Sequence, residues 1–193
     1  MDPALPAVPI LYNYDTDRDA SPGLLILKGG SGPNEPDSTR HQHWVTPVFP
    51  AAVTLQGDAI VKLWSAMKDF HAGKGGVVTV YLRECEGWDC VELGSGTVDD
   101  PNWQGGNPDW ALKTATVSVG TYTLPPGHNL ELELVVDGSS DDDMWFAYDT
   151  GPYRSRVIMS ASSDASPLAG SGGVLPGLLA RWIAQPWARW LFT

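Results

Sequence analysis

The sequence predicts an all-β fold, an antiparallel β-sandwich of jelly-roll type, on three observations. Apolar and polar residues alternate in short runs, most clearly Val77–Arg83, Thr114–Val119 and Leu130–Val136. Turn signals such as Pro125-Pro126-Gly127 and Asp137-Gly138-Ser139-Ser140 separate the runs. No helical periodicity appears before residue 174. Short alternating strands divided by turn residues are the pattern of a sandwich or jelly roll.

Each element follows from its residues. Residues 1–9 are Pro-rich and expected to be an extended N-terminal segment, and residues 10–159 form the sandwich. Ile10 to Tyr14 and Leu24 to Leu27 are short strand candidates. Between Lys28 and His43 the run KGGSGPNEPDSTRHQH is dense in Gly, Pro and Ser, so it reads as a long loop. Trp44 to Leu55 contains Pro47 and Pro50 and suits an edge segment, since proline cannot donate to a ladder. Ala59 to Trp64, Val77 to Arg83 and Val91 to Val98 read as strands, the second rich in β-branched residues. TATVSV alternates within Asp109 to Val119. Leu130, Leu132, Leu134 and Val136 point to a core, while Asn129, Glu131, Glu133 and Val135 take the face expected in water. Met144 to Tyr148 offers bulk to both faces, as a central strand does. Tyr153 to Met159 closes the domain. Residues 160–173 are a Ser/Gly/Ala linker. Residues 174–193 are an amphipathic tail, with Trp182, Trp187 and Trp190 at helical spacing and Arg181 and Arg189 on another face.

Composition narrows function. With 42% hydrophobic residues the chain can bury a sizeable core. Its net charge of -11 leaves no basic stripe for phosphates, so nucleic acid is not an expected partner. Met1-Asp2-Pro3 has neither the basic start nor the apolar run of a signal peptide, and the sequence is expected to be a portion of a larger secreted protein. Cys85 and Cys90 flank what reads as a hairpin end. A disulfide between them would mean an oxidising compartment; two free thiols are the alternative.

No catalytic constellation emerges, and the chain is not expected to be an enzyme. There is no Gly-x-Ser-x-Gly elbow, and neither cysteine has a neighbour that would activate it. His41 and His43 would give two metal ligands, but no third is evident. Trp103 and Trp110, in the polar stretch DPNWQGGNPDW, are candidates for stacking on sugar rings; the alternative is that they fold back as loop anchors. Asp15, Asp17 and Asp19 place three carboxylates at alternate positions, a spacing that lets a loop wrap a calcium ion; as turn formers they would need no ion. Asp141, Asp142, Asp143 and Asp149 form a second acidic set. Trp/Arg amphipathicity suits residues 174–193 to a membrane interface or a partner groove.

The runs HWVTPVFPAAVTLQGDAIVKLWSAMKDFHAGKGGVVTVYLREC and TYTLPPGHNLELELVV, over roughly residues 44–136, resemble the C-terminal sandwich of the Xaa-Pro dipeptidyl-peptidase and cocaine-esterase families. The resemblance implies a galactose-binding-like jelly roll. Those families keep their catalytic residues in a separate α/β-hydrolase domain, so no catalytic residue transfers. The YNYDTDRD and MWFAYD stretches look more like non-catalytic modules of secreted or surface-anchored bacterial proteins, which implies structural calcium between Asp15, Asp17, Asp19 and Asp149. The expected function is a non-catalytic extracellular or cell-surface module that binds a glycan or surface polymer beside other domains. A spacer with no small ligand, and an accessory domain detached from a secreted hydrolase, are the alternatives.

Overall fold

The computed structural model describes residues 24–105, 110–147, 153 and 155–163. Among them the chain is all β, with nine strands. These are β1 (Leu24–Ile26), β2 (His41–Val45), β3 (Val53–Met67), β4 (Gly76–Glu86), β5 (Asp89–Asp100), β6 (Ala111–Leu124), β7 (Asn129–Val136), β8 (Met144–Ala147) and β9 (Arg156–Ser163). One sheet runs β1-β8-β3-β6, with β9 also on β3; the other runs β2-β7-β4-β5. Among the described residues every strand pairs antiparallel with its neighbours, β1 with β8, β2 with β7, β3 with β6 and β4 with β5 among them; a lone parallel bridge joins Gly30 to Asp137 outside the strands. That nesting of outer pairs around inner ones is a jelly roll, the class expected from the alternation.

The core lies between the sheets. Val53, Leu55, Ala59, Val61 and Leu63 of β3 face Val78, Val80 and Leu82 of β4 and Leu130, Leu132, Leu134 and Val136 of β7 across the layer. A register shift in the β3–β6 ladder, where Gly57 opposes Gly120 but Asp58 opposes Ser118, leaves Val119 unpaired. The extra residue changes the parity of β6, so Leu124 on one side of it and Ala115 and Val117 on the other all reach the core. The sheets close on each other along β5 and β6. A Cβ on Gly96 would stand 2.3 Å from the Thr116 carbonyl oxygen, so this approach is open only to glycine.

Several expected elements fall where the residues put them, with longer bounds. β3 takes in Ala59 to Trp64 and continues to Met67, because Ser65 and Ala66 pair with β8 while its N-terminal part pairs with β9. β9 runs to Ser163, past residue 159 and into the stretch read as linker. The end of the supposed long loop, His41 onward, is the edge strand β2. Residues 1–23 and 164–193, with the N-terminal strand candidate and the tail, lie outside the described residues.

The largest correction concerns β7. All eight of its residues are buried, including those expected in water. β7 sits between β2 and β4, and the segment from Lys28 to Arg40 lies over its outer face, bonded to it through Gly29, Gly30, Asn34 and Glu35. The amides of Gly29 and Gly30 both donate to the Val136 carbonyl at 3.0 Å. A Cβ on Gly30 would fall 2.2 Å from Val135 Cγ1, so backbone lies directly on the sheet there. Alternation tells which residues share a face; it does not tell whether water reaches that face.

Candidate functional site: a buried charged cluster

The outer face of the second sheet carries three rows of residues set by register. His43 on β2 opposes Glu133 on β7, which opposes Tyr81 on β4. Val45 opposes Glu131, which opposes Arg83. His41 opposes Val135. The rows bring two imidazoles, two carboxylates and a guanidinium together, and His41, His43, Arg83, Glu131 and Glu133 are all buried.

Arg83 ties the cluster. Its Nε donates to Glu131 Oε1 at 2.7 Å, and Nη2 donates to the same oxygen. Nη2 also lies 3.2 Å from Glu133 Oε2, and Nη1 donates to the Asn34 side-chain oxygen. Among the described residues Arg83 is the buried lysine or arginine. The covering segment supplies the other donors. The Asn34 amide donates to Glu133 Oε2 at 3.0 Å and the Glu35 amide to Oε1 at 3.3 Å. Asn34 turns the chain there with φ of 62°, a left-handed conformation that asparagine tolerates. Glu35 is itself buried and accepts from the amides of Ser31 at 2.7 Å and Asp37 at 3.1 Å.

These contacts fix charge. Burial pushes the Glu131 carboxyl up, but the hydrogen bond with His43 and the charge and hydrogen bonds of Arg83 outweigh it and hold Glu131 below the usual carboxylate range. The Asp37 amide, then Ser31, hold Glu35 low against its burial. Burial raises the Tyr81 phenol, and the surrounding carboxylates add to the effect. His43 Nδ1 stands 2.9 Å from Glu131 Oε1, while His43 Nε2 faces Glu133 Oε1 at 3.7 Å. His41 Nδ1 is 3.9 Å from that same oxygen. The missing third donor beside His41 and His43 is therefore Glu133, 90 positions along the chain from His43 and invisible to motif spacing.

The other sequence-predicted positions resolve differently. Cys85 and Cys90 form a disulfide between directly opposed residues of β4 and β5. Their sulfurs lie against Glu131 but are bonded to each other. Trp103 and Trp110 are 1% and 7% exposed, so neither offers a face to a sugar. The Trp103 indole N–H donates to Ser65 Oγ at 2.9 Å, and its amide to the Lys74 carbonyl at 2.9 Å. Trp110 packs against Phe70 and Tyr153. Both are buried as loop anchors, one of the two readings the sequence left open. Asp142 and Asp143 pair with Lys74 at 2.5 Å and Lys68 at 2.8 Å, and Asp141 accepts from the Gly75 amide. Hydrogen bonding to Asp142 raises Lys74 above its usual value. Asp15, Asp17, Asp19 and Asp149 lie outside the described residues.

A second His–carboxylate contact sits at the Pro125-Pro126-Gly127 turn. His128 Nδ1 is 2.7 Å from Glu84 Oε1, and Tyr122 donates to the other Glu84 oxygen. Its Nε2 faces Glu86 at 3.8 Å, where a catalytic dyad would hold a nucleophile.

No family model matches this sequence, and no curated protein matches it. Among solved structures, the fold is similar to part of an aminopeptidase from the marine sediment archaeon Thaumarchaeota archaeon. The TM-score is 0.53 at 10% identity, covering 65% of this chain and 26% of that one. It is similar also to part of a CocE/NonD family hydrolase from Staphylococcus aureus, with a TM-score of 0.50 at 10% identity, covering 71% of this chain and 36% of that one. At these identities the likeness is one of fold, and this chain spans about a quarter to a third of those proteins.

Proposed function

We propose that this chain is a non-catalytic sandwich module that works as an accessory domain of a hydrolase. The observation that carries the reading is the fold likeness to parts of two larger hydrolytic proteins, each of which has most of its chain outside the match. The chemistry of the described residues supports it. The Arg83–Glu131–Glu133 group is closed under the Lys28–Arg40 segment, and the His128–Glu84 contact faces a carboxylate instead of a nucleophile. The Cys85–Cys90 disulfide supports an oxidising setting, extracellular or at the cell surface. A glycan-binding role within this reading would use a surface other than Trp103 and Trp110. Calcium held by Asp15, Asp17, Asp19 and Asp149, and a membrane contact by residues 174–193, are separate proposals that rest on the sequence alone.

The test is turnover. The purified chain is assayed against p-nitrophenyl esters and aminoacyl p-nitroanilides, then co-expressed with any hydrolase domain encoded beside it. The expected result is no hydrolysis above buffer by the chain alone and a higher melting temperature for the hydrolase domain in its presence. Saturable turnover by the chain alone, or no hydrolase encoded alongside, overturns the reading.

A further inference from the structure

We propose that His41, His43 and Glu133 bind one divalent transition-metal ion, zinc by the chemistry of the donors, which clamps the edge strand β2 to β7 beneath the covering segment. This goes beyond the accessory-domain reading and does not depend on it.

The donors are arranged for it. His41 and His43 stand two apart on one strand, so both rings leave the same face. Their ring centroids are 4.3 Å apart, and Glu133 lies opposite His43 in register. One donor atom from each of the three lies within 4.8 Å of the other two. Zinc bonds to nitrogen and oxygen of about 2.0–2.2 Å put neighbouring tetrahedral ligands roughly 3.4 Å apart. The separations of 3.7 Å and 3.9 Å to Glu133 Oε1 exceed that by a few tenths of an ångström, within reach of side-chain adjustment.

A separate observation points to a cation. His43 Nε2 is buried and has no hydrogen-bond partner, in a side chain 7% exposed. Its Nδ1 lies against Glu131 Oε1, the strongest acceptor within reach, so the proton of a neutral ring belongs on Nδ1. Arg83 Nη2, 3.1 Å from the same nitrogen, has Glu131 and Glu133 as its own acceptors. Nε2 then turns a lone pair toward the Glu133 carboxylate, which is repulsive unless a positive charge lies between them. A ligating imidazole whose other nitrogen is held by a carboxylate is the usual outer support of a metal-bound histidine.

The charge count agrees. Glu35, Glu131 and Glu133 bring three buried carboxylates, against which Arg83 sets one buried cation. A divalent ion cancels the remainder, and buried charge left uncancelled is costly. Imidazole donors favour zinc and its transition-metal neighbours; calcium and magnesium take oxygen.

The experiment uses the full chain, stripped with EDTA, desalted and titrated with zinc chloride. The expected result is about one zinc ion retained per chain and a melting temperature that rises with zinc, since a ligand of the native state stabilises it by mass action. His41→Asn, the milder change because His41 is the less buried of the two histidines, is expected to weaken zinc binding at least about tenfold, as is His43→Gln. Should either variant fail to fold, the imidazole signals of the unaltered chain decide. Zinc should shift those of His41 and His43 and leave those of His71 and His128 in place. No retained zinc, a response unchanged in both folded variants, shifts confined to His71 or His128, or a doubly protonated His43 indifferent to zinc each overturns the proposal.

Discussion

Arg83→Ala will destabilise the fold by about 3–5 kcal/mol, the cost of leaving buried charges without their partner. The guanidinium contacts Glu131, Glu133 and Asn34 together, so its removal takes the buried cation from two carboxylates and one side-chain bond from the covering segment. At roughly 2–4 °C per kcal/mol for a chain of this size, the melting temperature should fall by about 6–20 °C. Thermal unfolding followed by circular dichroism measures it. Arg83→Lys should recover only part of the loss, because an ammonium is a point charge and cannot span both carboxylates as the planar fork does. An Arg83→Ala variant as stable as the parent would mean that water reaches the cluster and that the outer face of β7 is wet after all.

Trp103→Ala will cost about 3–5 kcal/mol, the range for emptying a buried large aromatic site. Trp103 fills the end of the sandwich against Gly76 and Met67, where a Cβ on Gly76 would stand 2.7 Å from the ring and 2.8 Å from Met67 Cε. Lys113 Nζ lies 5.1 Å from the ring centroid on the outer side. Trp103→Phe should keep most of the packing and lose the Ser65 hydrogen bond, a smaller loss of about 1 kcal/mol. Urea denaturation gives both values. If Trp103 were a sugar platform, the alanine variant would unfold like the parent and fail only in glycan binding.

Much of the fold was legible because strand periodicity is a local signal. The alternation of Leu130 to Val136 placed Leu130, Leu132, Leu134 and Val136 toward the core, Val77 to Arg83 read as a strand, and the hairpin spacing of Cys85 and Cys90 suggested their bond. The site was not legible, because its members meet only through register and covering. His41 and His43 followed a Gly/Pro/Ser run and read as loop; β2 is an edge strand held by one neighbour, with few apolar residues to announce it. Glu131 and Glu133 read as solvent-facing because polar residues on an alternating strand ordinarily are. Only the Lys28–Arg40 segment, docked through Gly30 on Val135, excludes the water. Trp103 and Trp110 left two readings open. A tryptophan among Asp, Asn and Gly reads as exposed, yet polar loop residues serve here to turn the indoles inward. Asn102 accepts from the Gly73 amide and Asp100 from the Asn102 amide, shaping the loop that carries Trp103.

Amide hydrogen exchange at Asn34 and Glu35 tests the enclosed cluster most directly. Both amides donate to Glu133, beneath the only part of the covering segment that touches both carboxylate oxygens among the described residues. They should exchange far more slowly than the amides of the exposed Gly87–Trp88 hairpin tip, although they belong to a stretch rich in glycine and proline. Exchange as fast as at that tip would show the segment lifted from the sheet, leaving Glu131, Glu133 and both histidines open to solvent and contradicting the account.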